Sequence, residues 1–293
     1  MSELTRRIAF GVPAALLALA IVLAGGAALA ALLAVASAIA AWEFYRIART
    51  AGHAPLSDLG CALAGLFPLA VHARYLGFIQ PRLGYLAVVL LLVLSVAIWA
   101  RGVAGRPLGA VAVTVLGVLY TGGLLSFGYA LRYHDYAVGG VRLGGVAISA
   151  GGVLLGLPVL LTWATDTGAY TVGRTVGGRK LIPSISPAKT VSGAIGGLVT
   201  SVLVTWLYVH LVLRPTAQLA LTVTGIIVFG VTISVAAQLG DVFESMLKRE
   251  AGVKDSSTLL PGHGGVLDRL DSLFFVLPVA HLMLGWLLLP APR

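Results

Sequence analysis

The stretch Leu83–Ala100, LGYLAVVLLLVLSVAIWA, contains no charged side chain in 18 residues. A helix needs about 20 apolar residues to cross the hydrocarbon core of a bilayer, within a range of roughly 17–25. The run is continuous and not alternating, so it predicts a membrane-spanning helix and not a strand of a closed barrel. The whole chain is similar in composition: 58% of its 293 residues are apolar and 11% are charged, whereas soluble domains carry about 25% charged residues.

Comparable apolar runs recur along the chain and predict nine spans. They cover residues 8–24, 27–42, 59–73, 83–100, 108–130, 146–165, 193–212, 219–239 and 273–289. Eight or ten spans stay open, because only Gly25-Gly26 separates the first two runs and the third run is short. Arg6-Arg7 before the first run also fits a cleaved signal peptide, but a second run follows at once, so we expect an uncleaved first helix. The expected fold class is an all-α, polytopic integral membrane protein.

Two polar segments, 166–192 and 241–272, interrupt the apolar pattern. They hold all four lysines of the chain and most of its acidic residues. Two predicted spans separate the segments, so we expect both on the same face of the membrane, where they form one composite site. Their excess of Lys and Arg predicts that this face is cytosolic. We divide the chain into an N-terminal region of about five spans, 1–145, and a catalytic region of about four spans, 146–293.

Three aspartates have the spacing of a metal site. Asp268 and Asp271 are three positions apart at the start of the last predicted span, and residues at that spacing share one face of a helix. Asp241 follows the preceding span and can approach the same point. Carboxylates so close repel one another unless a cation lies between them, and ligand sets made only of oxygen suit Mg²⁺. A helix cap is the alternative role for Asp268.

Basic residues accompany these carboxylates. Lys248, Arg249 and Lys254 are close to them in sequence, and a site that mixes metal-binding acids with fixed cations suits a polyphosphate. His263, in a Gly-His-Gly-Gly run, could bind phosphate, transfer a proton or have only a structural role. Residues 173–180 are rejected as a P-loop, because they lack the Gly-Lys-Ser/Thr ending and no strand is predicted before them.

The stretch Ser245–Ser272, SMLKREAGVKDSSTLLPGHGGVLDRLDS, resembles the signature of the phosphatidate cytidylyltransferases, also called CDP-diacylglycerol synthases. The family pattern reads Ser-x-x-Lys-Arg, four residues, Lys-Asp-x-Ser, and later Pro-Gly-His-Gly-Gly-x-x-Asp-Arg-x-Asp, and every fixed position is met here. The resemblance extends to DTGAY at 166–170, SPAKT at 186–190 and AWEFYRIA at 41–48. It departs from the family at 191–193, where Val-Ser-Gly stands in place of the common Trp-Glu-Gly.

The resemblance implies transfer of the cytidylyl group of CTP to phosphatidate, with Mg²⁺ as cofactor and a second, monovalent cation as an option. The catalytic residues that it implies are Lys248, Arg249, Lys254, Asp255, His263 and Arg269. The substrate-binding residues are Asp166, Lys180, Ser186, Lys189, Thr190, Ser245, Gly264 and Gly265. The metal ligands are Asp241, Asp268 and Asp271.

Two other functions stay open, a CTP-dependent lipid kinase and a membrane transporter. A transporter should show matched interruptions in both halves of the chain, whereas the polar residues here concentrate in the second half. A phosphotransferase acting on CDP-diacylglycerol is excluded, because the chain has no Asp-Gly-x-x-Ala-Arg run. The expected partners are CTP, phosphatidate and the lipid bilayer, without nucleic acid, and a homodimer stays open. The expected location is a bacterial-type inner (plasma) membrane, with the active site facing the cytosol.

Overall fold

The structure, a computed structural model, describes residues 3–80, 83–135, 140–143, 146–260, 262 and 264–291, and it is mostly helical. The helices are α1 (Glu3–Ala24), α2 (Gly26–Thr50), α3 (Ser57–Tyr75), α4 (Leu83–Arg101), α5 (Pro107–Gly117), α6 (Phe127–Arg132), α7 (Ala150–Thr175), α8 (Val191–Tyr208), α9 (Arg214–Ala217), α10 (Val223–Glu250) and α11 (Leu267–Leu287). Two π-helical turns, Val118–Gly123 and Val209–Leu213, follow α5 and α8. The strands are β1 (Gly140–Leu143), β2 (Val146–Ser149), β3 (Lys180–Ile182), β4 (Ser186–Thr190), β5 (Leu219–Ala220) and β6 (Leu289–Pro290).

All nine predicted spans fall mainly on helices. Among the described residues, seven helices are long and apolar enough to cross a membrane. They are Gly26–Thr50, Gly84–Arg101, Pro107–Arg132, Ala150–Thr175, Val191–Ala217, Val223–Glu250 and Leu267–Leu287. The prediction of a helical protein with many spans is therefore confirmed in this coarser form. Nine as the number of spans stays a prediction, since α1 and α3 are not among these seven.

The all-α description needs a correction. The described residues form three antiparallel two-stranded pairs outside the helices: β1 with β2, β3 with β4, and β5 with β6. Residues 146–149 and 219–220, which the sequence assigned to spans, belong to strands, and the last helix begins at 267 instead of 273. Segments between helices leave backbone donors and acceptors without helical partners, and pairing with a neighbouring segment satisfies these groups.

The two polar segments are not loops throughout. Asp166 lies within α7, which continues to Thr175, and α10 continues past Asp241 to Glu250. A helix satisfies its own backbone hydrogen bonds, so it continues without penalty where the chain changes from apolar to polar residues. The candidate site residues at these two helix ends are therefore held on regular backbone.

The chain divides into two compact units. Unit 1 comprises residues 1–129 and 247–270. In unit 1, α2 packs against α3 and against the π-helical turn 118–123, and α4 packs against α5. A buried apolar cluster joins α3, α4 and the π-helical turn 118–123, and its members are Leu56, Leu63, Val93, Ala97 and Val118. The predicted division of the chain at residue 145 stays a prediction.

Unit 2 comprises residues 130–246 and 271–293, and α7 packs along α8 within it. Both helices begin at a side-chain cap: the Gly152 amide donates to Ser149 Oγ at 3.2 Å, and the Gly193 amide donates to Thr190 Oγ1 at 3.1 Å. A Cβ at Gly173 would lie 3.3 Å from the Gly193 Cα atom. The absence of side chains at Gly173 and Gly193 therefore allows the two backbones to approach closely near the polar ends of the helices.

Several hydroxyl groups inside the apolar helices are satisfied within their own helix. Thr114 Oγ1 donates to the Ala110 carbonyl at 2.7 Å, and Thr205 Oγ1 donates to the Ser201 carbonyl at 2.7 Å. This pattern allows a polar side chain in a segment that has no water to bond. The outer face of α4 is apolar, with Trp99 90% exposed, which suits contact with lipid.

Candidate active site

Unit 2 contains a cavity of about 610 Å³. This volume lies within the range of about 300–1,000 Å³ that small-molecule sites occupy. Residues of α7, β3, β4, α8 and α10 line it. Its polar lining residues are Asp166, Tyr170, Arg174, Lys180, Lys189, Thr190, Gln238 and Asp241. The structure thus brings four of the predicted substrate-binding residues and one predicted metal ligand together around a single cavity.

A charged cluster forms one part of this cavity. Lys189 Nζ lies 2.6 Å from Asp241 Oδ2, and Ser245 Oγ donates to Asp241 Oδ1 at 3.3 Å. Asp166 interacts electrostatically with Asp241, Asp271 and Lys189. The sequence placed Asp166 among the substrate-binding residues, whereas in the structure it joins two predicted metal ligands. Its place in the DTGAY motif was the available signal.

The donor set of this cluster suits Mg²⁺. Among the residues that the structure describes, no three histidine, cysteine or acidic side chains are arranged to hold a metal ion. Mg²⁺ does not require such a cage, because it usually binds one or two protein carboxylates and completes its shell with water and substrate phosphate. Asp241 and Asp271 offer only oxygen, which fits this ion. Lys189 already engages one oxygen of Asp241.

The cavity also has polar residues that sequence reasoning missed. Arg174 Nη1 donates to the Tyr170 hydroxyl at 2.5 Å, and both side chains line the cavity. Gln238 Nε2 donates to the Ala194 carbonyl at 3.3 Å. Tyr170 ends the DTGAY motif, and Arg174 follows it four positions later on α7. Residues four apart on a helix are neighbours, so this spacing was a signal that the two side chains could interact.

Two residues predicted to bind substrate differ in their surroundings. Thr190 is buried, and its hydroxyl caps α8 and lies 3.1 Å from Ser192 Oγ. Ser192 in turn donates to the Gly177 carbonyl, so the residue at the departure from the family pattern binds the turn before β3. Ser186 begins β4 opposite Ile182 and is not among the residues that line the cavity. Substrate contact by Ser186 stays a prediction.

Unit 1 holds a second polar cluster. Lys248 Nζ lies 2.7 Å from Asp268 Oδ1, and the two side chains are only 12% and 7% exposed. Asp268 Oδ2 accepts bonds from the Ser256 hydroxyl at 2.8 Å, the Ser256 amide at 2.9 Å and the Gly265 amide at 2.8 Å. Gly264 has a φ of 78°, which strains any residue with a Cβ. Both oxygens of Asp268 therefore have protein partners, and its role as a metal ligand stays a prediction.

Four of the other predicted catalytic residues lie at the surface. Arg249 is exposed in the last turn of α10, and Arg269 is exposed in the first turn of α11. Lys254 and Asp255 are exposed, and neither forms an ion pair with any residue that the structure describes. His263 lies outside the described residues. Their predicted catalytic roles are not tested by these positions.

Comparison with known proteins gives matches of two kinds. The model of the cytidylyltransferase family matches residues 5–287. Several curated bacterial proteins named phosphatidate cytidylyltransferase are similar to parts of the chain. The protein of Haemophilus influenzae is 49% identical over 119 residues, which is 41% of this chain and 41% of that protein. The protein of Bacillus subtilis is 44% identical over 126 residues, 43% of this chain and 45% of that protein.

A third relative, from Staphylococcus epidermidis, is 46% identical over 125 residues, 43% of this chain and 46% of that protein. The chain thus spans less than half the length of the curated relatives it matches. The family match, in contrast, runs through both polar segments and nearly the whole sequence. It confirms at the family level the resemblance that the stretch Ser245–Ser272 indicated. The chain belongs to the cytidylyltransferase family.

Proposed function

We propose that the protein transfers the cytidylyl group of CTP to phosphatidate and releases CDP-diacylglycerol and pyrophosphate. Family membership and the names of the similar bacterial proteins support this function. The observation that carries it is the cavity of unit 2, where Asp166 and Asp241 meet the cationic side chains of Arg174, Lys180 and Lys189. Such a mixture suits a metal-bound triphosphate. The carboxylates hold the metal ion, and the cationic side chains neutralise the negative charge that the metal does not balance on the phosphate oxygens.

In the proposed reaction, a phosphate oxygen of phosphatidate attacks the α-phosphorus of CTP. The bond to the β-phosphate breaks, and pyrophosphate leaves. A phosphate monoester is largely ionised near pH 7, so the attack requires no strong general base. Lys189 and Arg174 would hold phosphate oxygens and orient the triphosphate within the cavity.

Mg²⁺ would be held by Asp241 and Asp271, with Asp268 as the predicted third ligand. When bound, the ion would supply positive charge that neutralises the triphosphate. Lys248, Arg249 and Lys254 are the proposed phosphate-binding residues of the signature. Asp255, His263, Arg269, Ser186, Ser245, Gly264 and Gly265 keep their family-implied roles within this proposal, and a second, monovalent cation and a homodimer stay open.

The site is proposed to lie at the cytosolic face of a bacterial-type inner membrane. Each methylene buried in the bilayer contributes about 0.8 kcal/mol, so the roughly 30 methylenes of two acyl chains hold phosphatidate in the membrane by about 24 kcal/mol. The enzyme must therefore act on the headgroup at the surface, whereas CTP arrives from the cytosol. Polar residues at the ends of spanning helices suit both requirements.

Labelled nucleotide tests the function directly. Purified protein receives phosphatidate with CTP labelled at either the α- or the γ-phosphate. We expect the α-label in lipid and the γ-label in pyrophosphate. Asp241→Asn should transfer neither label to lipid. The matched control is Asp58→Asn, the same change at an exposed aspartate in the first turn of α3, and it should keep the wild-type rate. Transfer of the γ-label to lipid would identify a lipid kinase, and transfer of neither label would refute the proposal.

A further inference from the structure

Glu43 is a buried carboxylate that the proposed reaction does not use. It lies in α2, within the AWEFYRIA stretch, and its exposure is 0%. Burying an ionised carboxylate costs several kcal/mol unless hydrogen bonds replace the lost water. The contacts of Glu43 therefore indicate what the side chain does.

Four donors surround this carboxylate. Oε1 accepts from the Ser257 hydroxyl at 2.5 Å and the Val266 amide at 3.1 Å. Oε2 accepts from the Ser256 hydroxyl at 3.1 Å and the Leu267 amide at 2.6 Å. A carboxylate has about four lone-pair positions, so these four donors occupy the acceptor positions of Glu43.

These contacts join α2 to both ends of the segment 256–267, which lies more than 210 positions away in the chain. Leu267 is the first residue of α11. The first amides of a helix have no partner within the helix, and a negative charge beside them is favourable. Glu43 thus caps α11 from a different helix of unit 1.

The same bonds extend to the signature residues. The Ser256 hydroxyl lies 3.1 Å from Glu43 Oε2 and 2.8 Å from Asp268 Oδ2, so it bridges two carboxylates. A Cβ at Gly265 would overlap both Ser256 Oγ and Glu43 Oε1. Asp268 in turn pairs with Lys248. The position of Asp268 and of its lysine therefore depends on where Glu43 holds the segment.

We infer that Glu43 is a positioning residue, which holds residues 256–257 and 265–267 where they orient Asp268 and Lys248 for cytidylyl transfer. The inference rests on the proposed function, in which Asp268 and Lys248 belong to the reaction site. Glutamine at position 43 would turn an amide NH₂ toward backbone N–H groups and lose one acceptor. The segment would then loosen while the remaining packing of α2 is kept.

Two readouts test this role in the full-length, detergent-purified protein. For Glu43→Gln we expect kcat to fall by about 10²-fold, as displacing reacting groups by about 1 Å can do, with KM for CTP within threefold of wild type. We also expect trypsin to cleave faster after Lys254, two residues before the segment, but not after Lys180, in unit 2. The matched control is Glu250→Gln, the same change at an exposed glutamate, which should alter neither.

The outcomes separate this inference from the proposed function. If the wild-type protein shows no cytidylyl transfer, the proposed function fails, and the cleavage rate after Lys254 still decides the role of Glu43. If Glu43→Gln does not yield monodisperse protein, Ser257→Ala, which removes one of the four donors, replaces it and should show about a tenfold fall in kcat and faster cleavage. Wild-type kcat together with wild-type cleavage in the variant that folds would overturn the inference.

Discussion

The contribution of the ion pair between Lys248 and Asp268 to the stability of the protein can be measured. Replacing Lys248 with Met removes the ammonium group that lies 2.7 Å from Asp268 Oδ1 and keeps most of the side-chain volume. The Asp268 side chain is 7% exposed, and in the variant it keeps the three donors at Oδ2. Removing one partner of a buried pair costs about 3–5 kcal/mol. We expect about 3 kcal/mol here, because the remaining hydrogen bonds still stabilise the carboxylate.

A double-mutant cycle isolates the pair. Lys248→Met and Asp268→Asn should each lower the stability by about 3 kcal/mol, and the double variant should lose about as much as either alone, which is a coupling of about 3 kcal/mol. Thermal unfolding of the purified protein in one detergent measures this, since 1 kcal/mol shifts the midpoint by roughly 2–4 °C in a domain of this size. The single variants should therefore melt roughly 6–12 °C lower than wild type.

Cytidylyl transfer by the same four proteins separates stability from catalysis. The double variant should be less destabilised than the two single variants added together. If both residues take part in the reaction, it should nevertheless stay inactive. A control cycle on His53 and Glu250, whose side chains are 44% and 59% exposed and 3.8 Å apart, should show coupling near zero. Coupling below about 0.5 kcal/mol for Lys248 and Asp268 would refute the structural reasoning, and wild-type turnover in the double variant would remove both from the site.

Two further predictions concern the signature lysine and the topology. Lys254→Ala should lower kcat/KM for CTP by ~10²–10³-fold, as the loss of one preorganised donor does. It should leave the melting midpoint unchanged, because Lys254 is exposed. A fall of less than threefold in kcat/KM would show that Lys254 is a surface residue without a role in the reaction. Single cysteines at Ser184 and Thr258, both exposed, in a Cys61→Ser background should resist an impermeant thiol reagent in intact cells and react after lysis. Labelling of either position before lysis would contradict the proposed cytosolic orientation.

Local sequence determined the helical, membrane-spanning character of the protein. A run such as Leu83–Ala100 has no alternative to a helix in lipid, because its backbone groups can bond only within their own segment. The same reasoning failed at residues 146–149 and 219–220, which are apolar but form strands. Apolar composition indicates burial or contact with lipid, and it does not distinguish a short paired strand from the end of a helix.

The sequence also supplied the residues of the proposed site. The pattern within Ser245–Ser272 named the charged residues, and the family match confirmed the resemblance. It did not reveal that Arg174 and Tyr170 line a cavity with Lys189. Cavities arise where several elements meet, and the distances between those elements are not encoded in the spacing of residues along any one of them.

Which charges meet was decided only by the tertiary structure. Asp166 and Asp241 are far apart in sequence but interact within unit 2, and Glu43 reaches Ser256 across 213 positions. A motif shows that a carboxylate is present; whether it binds a lysine, a helix N-terminus or a metal ion depends on which donors surround it after folding. The sequence by itself therefore determined the membrane-spanning helices and the residues available for reaction. The packing of the helices determined the partners of each charge. The physical reason is that a buried carboxylate loses its water and is stable only where hydrogen-bond donors or cations replace that water.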